Sequence, residues 1–155
     1  MALLNKANVS WKGLLLKVAE IIRDEWQPGK LNSELKYRDS LAQFLRDSAP
    51  DAHIETEYRH AGTTTDIFLK WQGIFSKDEL FIELKYNLRQ KGQYDRLIGQ
   101  VEQINPAKHS LIIVVCGDQQ DENLLGRLHE RYKISDIPYP SSPRIVIKKV
   151  AAVGS

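Results

Sequence analysis

The sequence predicts a single α/β domain with a mixed central sheet, and three observations carry that reading. Three strand-like segments, HIETEYRH (53–60), TDIFLKW (65–71) and LFIELKY (80–86), follow one another across short polar connections, which implies an antiparallel meander. The third leads through a helical pattern into LIIVVCG (111–117), an almost wholly apolar strand, and such a strand–helix–strand unit crosses over into a parallel pairing. Two amphipathic helices precede the meander. The expected order is α-α-β-β-β-α-β-α-β in 155 residues, enough for one domain with a real core.

Each element has its own signal. Ser10 is positioned to cap a helix over about 10–26, with Trp11, Leu14, Leu15, Val18, Ile21 and Ile22 as its apolar stripe. The Pro-Gly signal in QPGK (27–30) breaks it. Asn32 or Ser33 opens a second helix, with Tyr37, Leu41, Phe44 and Leu45 inward, and SAPD stops it. Gly62 marks the turn between the first two strands. A helix over 93–104 ends at Asn105-Pro106. LLGRLHERY (124–132) reads as a further helix and RIVIKKV, from 144, as a last edge strand. The connection over 135–143 holds three prolines and is expected to be irregular. No internal repeat or low-complexity segment interrupts the order.

Composition narrows the functional classes. A hydrophobic fraction of 42% and a charged fraction of 27% are those of an ordinary soluble globular chain. A net charge of +2 argues neither for nor against nucleic acid, because a local basic groove can hide inside a balanced total. The lone Cys116 excludes an internal disulfide framework and a cysteine zinc site; inside LIIVVCG it reads as a small buried thiol. Lys17, Glu20, Arg23 and Asp24 interrupt the apolar run near the N-terminus, so neither a membrane span nor a targeting segment is expected there, and the cytoplasm is the default location. The four histidines show no ligand spacing, and no Ser-His-Asp set or glycine-rich phosphate loop is visible.

The informative residues are charges set into apolar strands. FIELKYNL (81–88) has Phe81, Ile82, Leu84, Tyr86 and Leu88 as a strand buried on both faces would, yet it also carries Glu83 and Lys85. These two stand on the same face, two residues apart. An ionised carboxylate beside such a surface costs several kcal/mol unless it is paired or bound to a metal. In the preceding strand Thr65, Ile67 and Leu69 share one face, and Asp66 lies on the other with Phe68. A meander puts the two strands side by side, so Asp66 and Glu83 can approach. Two carboxylates that close need positive charge between them, from Lys85, from a divalent metal or from both. The ordinary alternatives are a solvated Glu83–Lys85 ion pair and an aspartate bonding to the turn.

Asp66 followed seventeen positions later by Glu83-Leu84-Lys85 resembles the D…(D/E)-x-K signature of the PD-(D/E)xK nuclease superfamily, which includes restriction endonucleases and Holliday-junction resolvases. The position before the aspartate is Thr65 rather than proline. The resemblance implies a restriction-endonuclease-like αβββαβ core over about 32–117, preceded by an extra N-terminal helix and followed by the helix and strand over 121–150. It also implies Mg²⁺- or Mn²⁺-dependent hydrolysis of phosphodiester bonds in nucleic acid, DNA first, by an endo- or exonuclease. Asp66, Glu83 and the Leu84 carbonyl would hold the metal and Lys85 would serve the attacking water.

Two further positions fit the resemblance. Glu34, at the start of the second helix, would be a further metal or water ligand, the alternative being an acid that suits the helix N-terminus. Gln100, within the polar stripe Gln93, Arg96, Gln100 and Gln103, would face the site, the alternative being a solvated helix face. Lys70, Arg89, Lys91 and Arg96 are the candidate backbone contacts to nucleic acid. One site per chain would favour a homodimer for cutting both strands of a duplex. A second reading keeps the fold without catalysis, as a nucleic-acid- or protein-binding module. A third takes Glu83–Lys85 as a structural ion pair.

Overall fold

Gly13 divides what the sequence reads as one N-terminal helix. A computed structural model of the chain describes residues 2–73, 77–106, 108–132 and 144–149. Within these, α1 (Lys6–Lys12) and α2 (Leu14–Asp24) meet at Gly13, whose φ of 89° is a conformation that a continuing helix cannot use. The cap is therefore not Ser10, which lies inside α1. Asn5 accepts from the Asn8 amide, and the Asn8 side chain accepts from the Asn5 amide in return. Trp26 lies beyond the end of α2, buried, and its indole N–H donates to Ser40 Oγ at 3.2 Å. The expected place of Trp11 in the stripe concerns a side chain outside the described residues, as does the whole connection over 135–143.

The remaining elements follow the expected order: α3 (Glu34–Ser48), β1 (His53–His60), β2 (Thr63–Gln72), β3 (Lys77–Tyr86), α4 (Lys91–Ile104), β4 (Ser110–Cys116), α5 (Glu122–Arg131) and β5 (Arg144–Lys149). Ser33, not Asn32, caps α3 by accepting from the Lys36 amide. The protein is a mixed α/β fold whose five strands lie in the order β1-β2-β3-β4-β5. The first three form the antiparallel meander; β3–β4 and β4–β5 are parallel, joined across α4 and α5. No described helix is long and apolar enough to cross a membrane.

The sheet separates two cores. On one face Ile67, Leu69, Ile82, Leu84, Ile112 and Val114 pack against the apolar stripes of α2 and α3. On the other, Phe68, Phe81, Leu111, Ile113 and Val115 pack against Leu97 and Val101 of α4 and Leu124 and Leu128 of α5. β4 is thus covered on both faces, which explains its unbroken apolar run.

The β1–β2 hairpin departs from a flat sheet. The β1–β2 ladder pairs Thr56 with Ile67 and Tyr58 with Thr65, but it skips the opposed pair between them, Glu57 and Asp66. Glu57 has a φ of 53°, an uncommon conformation for a residue other than glycine. The β2–β3 ladder likewise stops at Ile67–Ile82 and does not reach Asp66 and Glu83. Beyond this point the hairpin tip curls over the α4 face. Register places Phe81 level with Phe68 and Glu55, five residues from His60, or about 17 Å along an untwisted strand. The His60 and Phe81 rings are nevertheless 5.1 Å apart, and Tyr58 stacks on Phe68 at 4.0 Å. The tip turns through Ala61 (φ 50°) and Gly62 (φ 82°), both left-handed, as a two-residue turn of this kind requires.

Ala61 is the ill-suited member of that pair. Ala61→Asn would supply the Asn-Gly turn and is expected to stabilise the protein by about 1 kcal/mol. In a chain of this size that is a rise of about 2–4 °C in melting temperature, measurable by calorimetry. An unchanged or lower value would contradict the turn geometry.

Candidate metal and nucleic-acid site

The interrupted ladders free the backbone amides that the carboxylates then take. The Leu84 amide donates to Asp66 Oδ2 at 2.8 Å, and the Asp66 amide donates to Glu83 Oε1 at 3.3 Å. A crossed pair of side-chain bonds thus replaces the next rung between β2 and β3. Strand alternation brings Asp66, Phe68, Phe81, Glu83 and Lys85 to the α4 face, and the two cores bear this out through Phe68 and Phe81. Glu83 is 1% exposed, one of the few polar or charged residues buried in the described chain.

Glu34 reaches the same place from the opposite face of the sheet. It lies in the first turn of α3, and its Oε1 accepts from the Tyr86 amide at 3.1 Å. The ring of Tyr37, one turn further along α3, packs on Tyr86 at 5.7 Å, and the Tyr37 hydroxyl accepts from the Leu31 amide at 3.1 Å. These contacts fix the start of α3 against the end of β3. Where β2 parts from β3, one cleft of about 320 Å³ is lined from both sides of the sheet. Glu34, Leu35 and Arg38 come from α3, Glu57 from β1, Thr64 and Asp66 from β2, and Gln100 from α4.

The electrostatics are those of too many acids in too little water. Burial, repulsion from Asp66 and the hydrogen bond shared with it push the Glu83 carboxyl up to about 9, with Glu34 adding to the rise. Burial also raises Asp66, against the opposing effect of the Leu84 amide, the bond to Glu83, and the charges of Arg38 and Lys85. Glu34 is raised by burial and by Asp66, while the Tyr86 amide and Lys85 oppose the shift. Lys85 is half-buried and makes no ion pair within 4.0 Å among the described residues, so the solvated Glu83–Lys85 bridge is not what holds this strand's charges. Burial pushes the Cys116 thiol up to about 12, as expected of an inert core cysteine; its Sγ lies 3.5 Å from the Lys85 carbonyl oxygen.

The sequence-predicted residues divide accordingly. Glu34, Asp66 and Gln100 line the cleft, Glu83 lies behind Asp66, and the Lys85 charge acts on both Asp66 and Glu34. Lys70, Arg89, Lys91 and Arg96 do not line it. Lys91 pairs with Asp95 at 2.9 Å, and Arg89 donates to Gln119 at 2.7 Å. Gln93 caps α4 by accepting from the Arg89 and Gln90 amides.

Sequence reasoning missed Arg38, Leu35, Glu57 and Thr64. Arg38, four residues after Glu34 and so on the same face of α3, was within reach of helical periodicity. Its guanidinium, 13% exposed, bridges Glu57 at 2.7 Å and Asp39 at 2.9 Å. No family model matches this chain, and neither a curated protein nor a solved structure does.

Among the described residues no group of three or more His, Cys, Asp or Glu side chains is gathered closely enough to hold a metal ion as it stands. The donor chemistry of Asp66 and Glu83 nevertheless suits a hard dication: a half-buried and a buried carboxyl lie together, and burial with mutual repulsion favours a proton on Glu83. That proton has a thermodynamic signature. The folded protein keeps it up to about 9, whereas an unfolded chain releases it near the ordinary 4.5, so the unfolded state binds fewer protons in between. Stability contributed by this site therefore falls as pH rises from 4.5 towards 9. Glu83→Gln is expected to flatten that dependence and to raise the melting temperature of the metal-free protein at pH 8 by several degrees. A parallel pH dependence in both proteins would contradict the buried, protonated carboxyl.

Proposed function

We propose that this protein is a metal-dependent nuclease that hydrolyses phosphodiester bonds in nucleic acid, DNA foremost, with a restriction-endonuclease-like core running from α3 to β4. The observation that carries the reading is the crossed Asp66–Glu83 arrangement at the parting of β2 and β3, opening on a cleft that Glu34 and Gln100 also reach. The order α3-β1-β2-β3-α4-β4 and the resemblance of Asp66…Glu83-Leu84-Lys85 to the PD-(D/E)xK signature are in keeping with it.

Asp66, Glu83 and the Leu84 carbonyl would hold Mg²⁺ or Mn²⁺, with Glu34 as a further ligand directly or through water. The bound ion would polarise the phosphate and bring a water's pKa towards neutrality. Lys85 then orients that water or stabilises the charge that develops at phosphorus. Gln100, an uncharged donor on the cleft wall, suits a contact to a phosphate oxygen that does not compete for the metal. Burial holds the Glu83 carboxyl in a fixed position, so it would need little reorganisation to serve as a ligand to a dication.

A second reading, a nuclease-like module that binds nucleic acid or protein without cutting, has one observation in its favour. Two of the four candidate phosphate-binding cations, Arg89 and Lys91, already bond to neighbours, which favours a protein partner over a phosphate backbone. A cleavage assay separates the two. Supercoiled plasmid and single-stranded DNA are incubated with the protein and Mg²⁺ or Mn²⁺, beside Asp66→Asn and Lys85→Ala. Metal-dependent cutting is expected from the wild type, with losses of about 10²–10⁴-fold in each variant. Cutting that survives in both variants would discard the assigned site. Binding by a wild type that never cuts would favour the silent module.

Metal alone gives a further check. Mn²⁺ is expected to raise the melting temperature of the wild type but not of Asp66→Asn, because a ligand that binds only the folded state stabilises it by mass action. Equal shifts in both proteins would place the metal elsewhere.

A further inference from the structure

Leu16 and Leu35 are the large hydrophobic side chains left exposed among the described residues, at 46% and 54%. Single exposed leucines are ordinary on a protein surface. Leu35 differs in its surroundings: it lines the cleft beside Glu34, and every other lining residue there is polar or charged. Contact between its side chain and an apolar ligand surface would remove from water the one wholly apolar side chain among the described residues that line the cleft. We infer that Leu35 is a base-contacting residue, packing on the face of an unstacked nucleobase next to the phosphate being cut, so that the site takes single-stranded or frayed nucleic acid over intact duplex.

This inference rests on the nuclease reading and adds the substrate class to it. The chemistry of the nucleic acid selects the occupant. In a duplex the base faces are stacked against one another, and the grooves offer polar edges and, at thymine alone, a methyl group. An apolar wedge meets a base face only where the stack is broken. Sequence-tolerant contact follows, because every base has an apolar face. Leu35 is the residue after Glu34 on the first turn of α3, and Tyr37 anchors that turn against Tyr86. The wedge is therefore rigidly placed with respect to the carboxylates.

The test measures binding and cutting separately. Fluorescence anisotropy follows a labelled mixed-sequence single strand and the matching blunt duplex, with wild type, Leu35→Ser and Leu35→Phe. The wild type is expected to bind the single strand more tightly than the duplex. Leu35→Ser should weaken single-strand binding about tenfold while leaving the duplex affinity and the melting temperature unchanged, and Leu35→Phe should retain the preference. Unchanged single-strand binding by Leu35→Ser, or an equal loss on both substrates, would overturn the inference. Cleavage assays of the same proteins distinguish the two readings. Discriminating binding by a wild type that does not cut would remove the nuclease reading and keep the base contact. Cutting of both substrates with no effect at Leu35 would do the reverse.

Discussion

Everything that sets this site apart follows from a rung that the sheet does not make. Between Asp66 and its neighbours on both sides the ladder is interrupted, and side-chain carboxylates accept from the amides of Leu84 and Asp66 instead. Buried backbone amides must find a partner, so the exchange is constrained on both sides. Without the carboxylates the amides would be orphaned; without the parted strands the carboxylates would be buried with nothing to bond. The same separation admits Glu34 from the far face of the sheet, and in this way two helices packed on opposite faces come to share one cleft.

The cleft is unbalanced in charge by design of its components. Glu34, Glu57 and Asp66 line it with Arg38 as the one lining cation among the described residues, and Arg38 is largely committed to Glu57 and Asp39. Lys85, by contrast, is held near the acids without a close partner among the described residues. An arrangement optimised for stability alone would pair these charges or replace them with apolar groups. The strained φ of Glu57, opposite Asp66, belongs to the same pattern, since backbone strain concentrates where a site over-determines its residues.

Strand periodicity made much of this legible in advance. A period of two fixes which side chains share a face, so TDIFLKW and FIELKY were sufficient to bring Asp66, Glu83 and Lys85 to one surface once a meander was assumed. Helical periodicity put Glu34 on an inward face and Gln100 in a polar stripe, but it was the resemblance that singled them out. The cleft wall was not legible, because it depends on where two ladders stop, which is a tertiary property. Glu57 looks like any polar residue in HIETEYRH, and Leu35 like any leucine near a helix start. The break at Gly13 escaped for a different reason: the apolar stripe continues in phase across it, and only the backbone angle reveals the division.

The curled hairpin also governs what the molecule can do with its outer boundary. β1 is a terminal strand of the sheet, and a terminal strand exposes unpaired amides and carbonyls that a second chain can extend. Here that border is bent at Glu57, charged at Glu55, Glu57 and Arg59, and folded back at its tip onto Phe81. A straight strand from another molecule would find only a short stretch, about 53–56, in register before the border turns away. The kink that shapes the cleft thus also blunts the sheet's open border against extension by another strand.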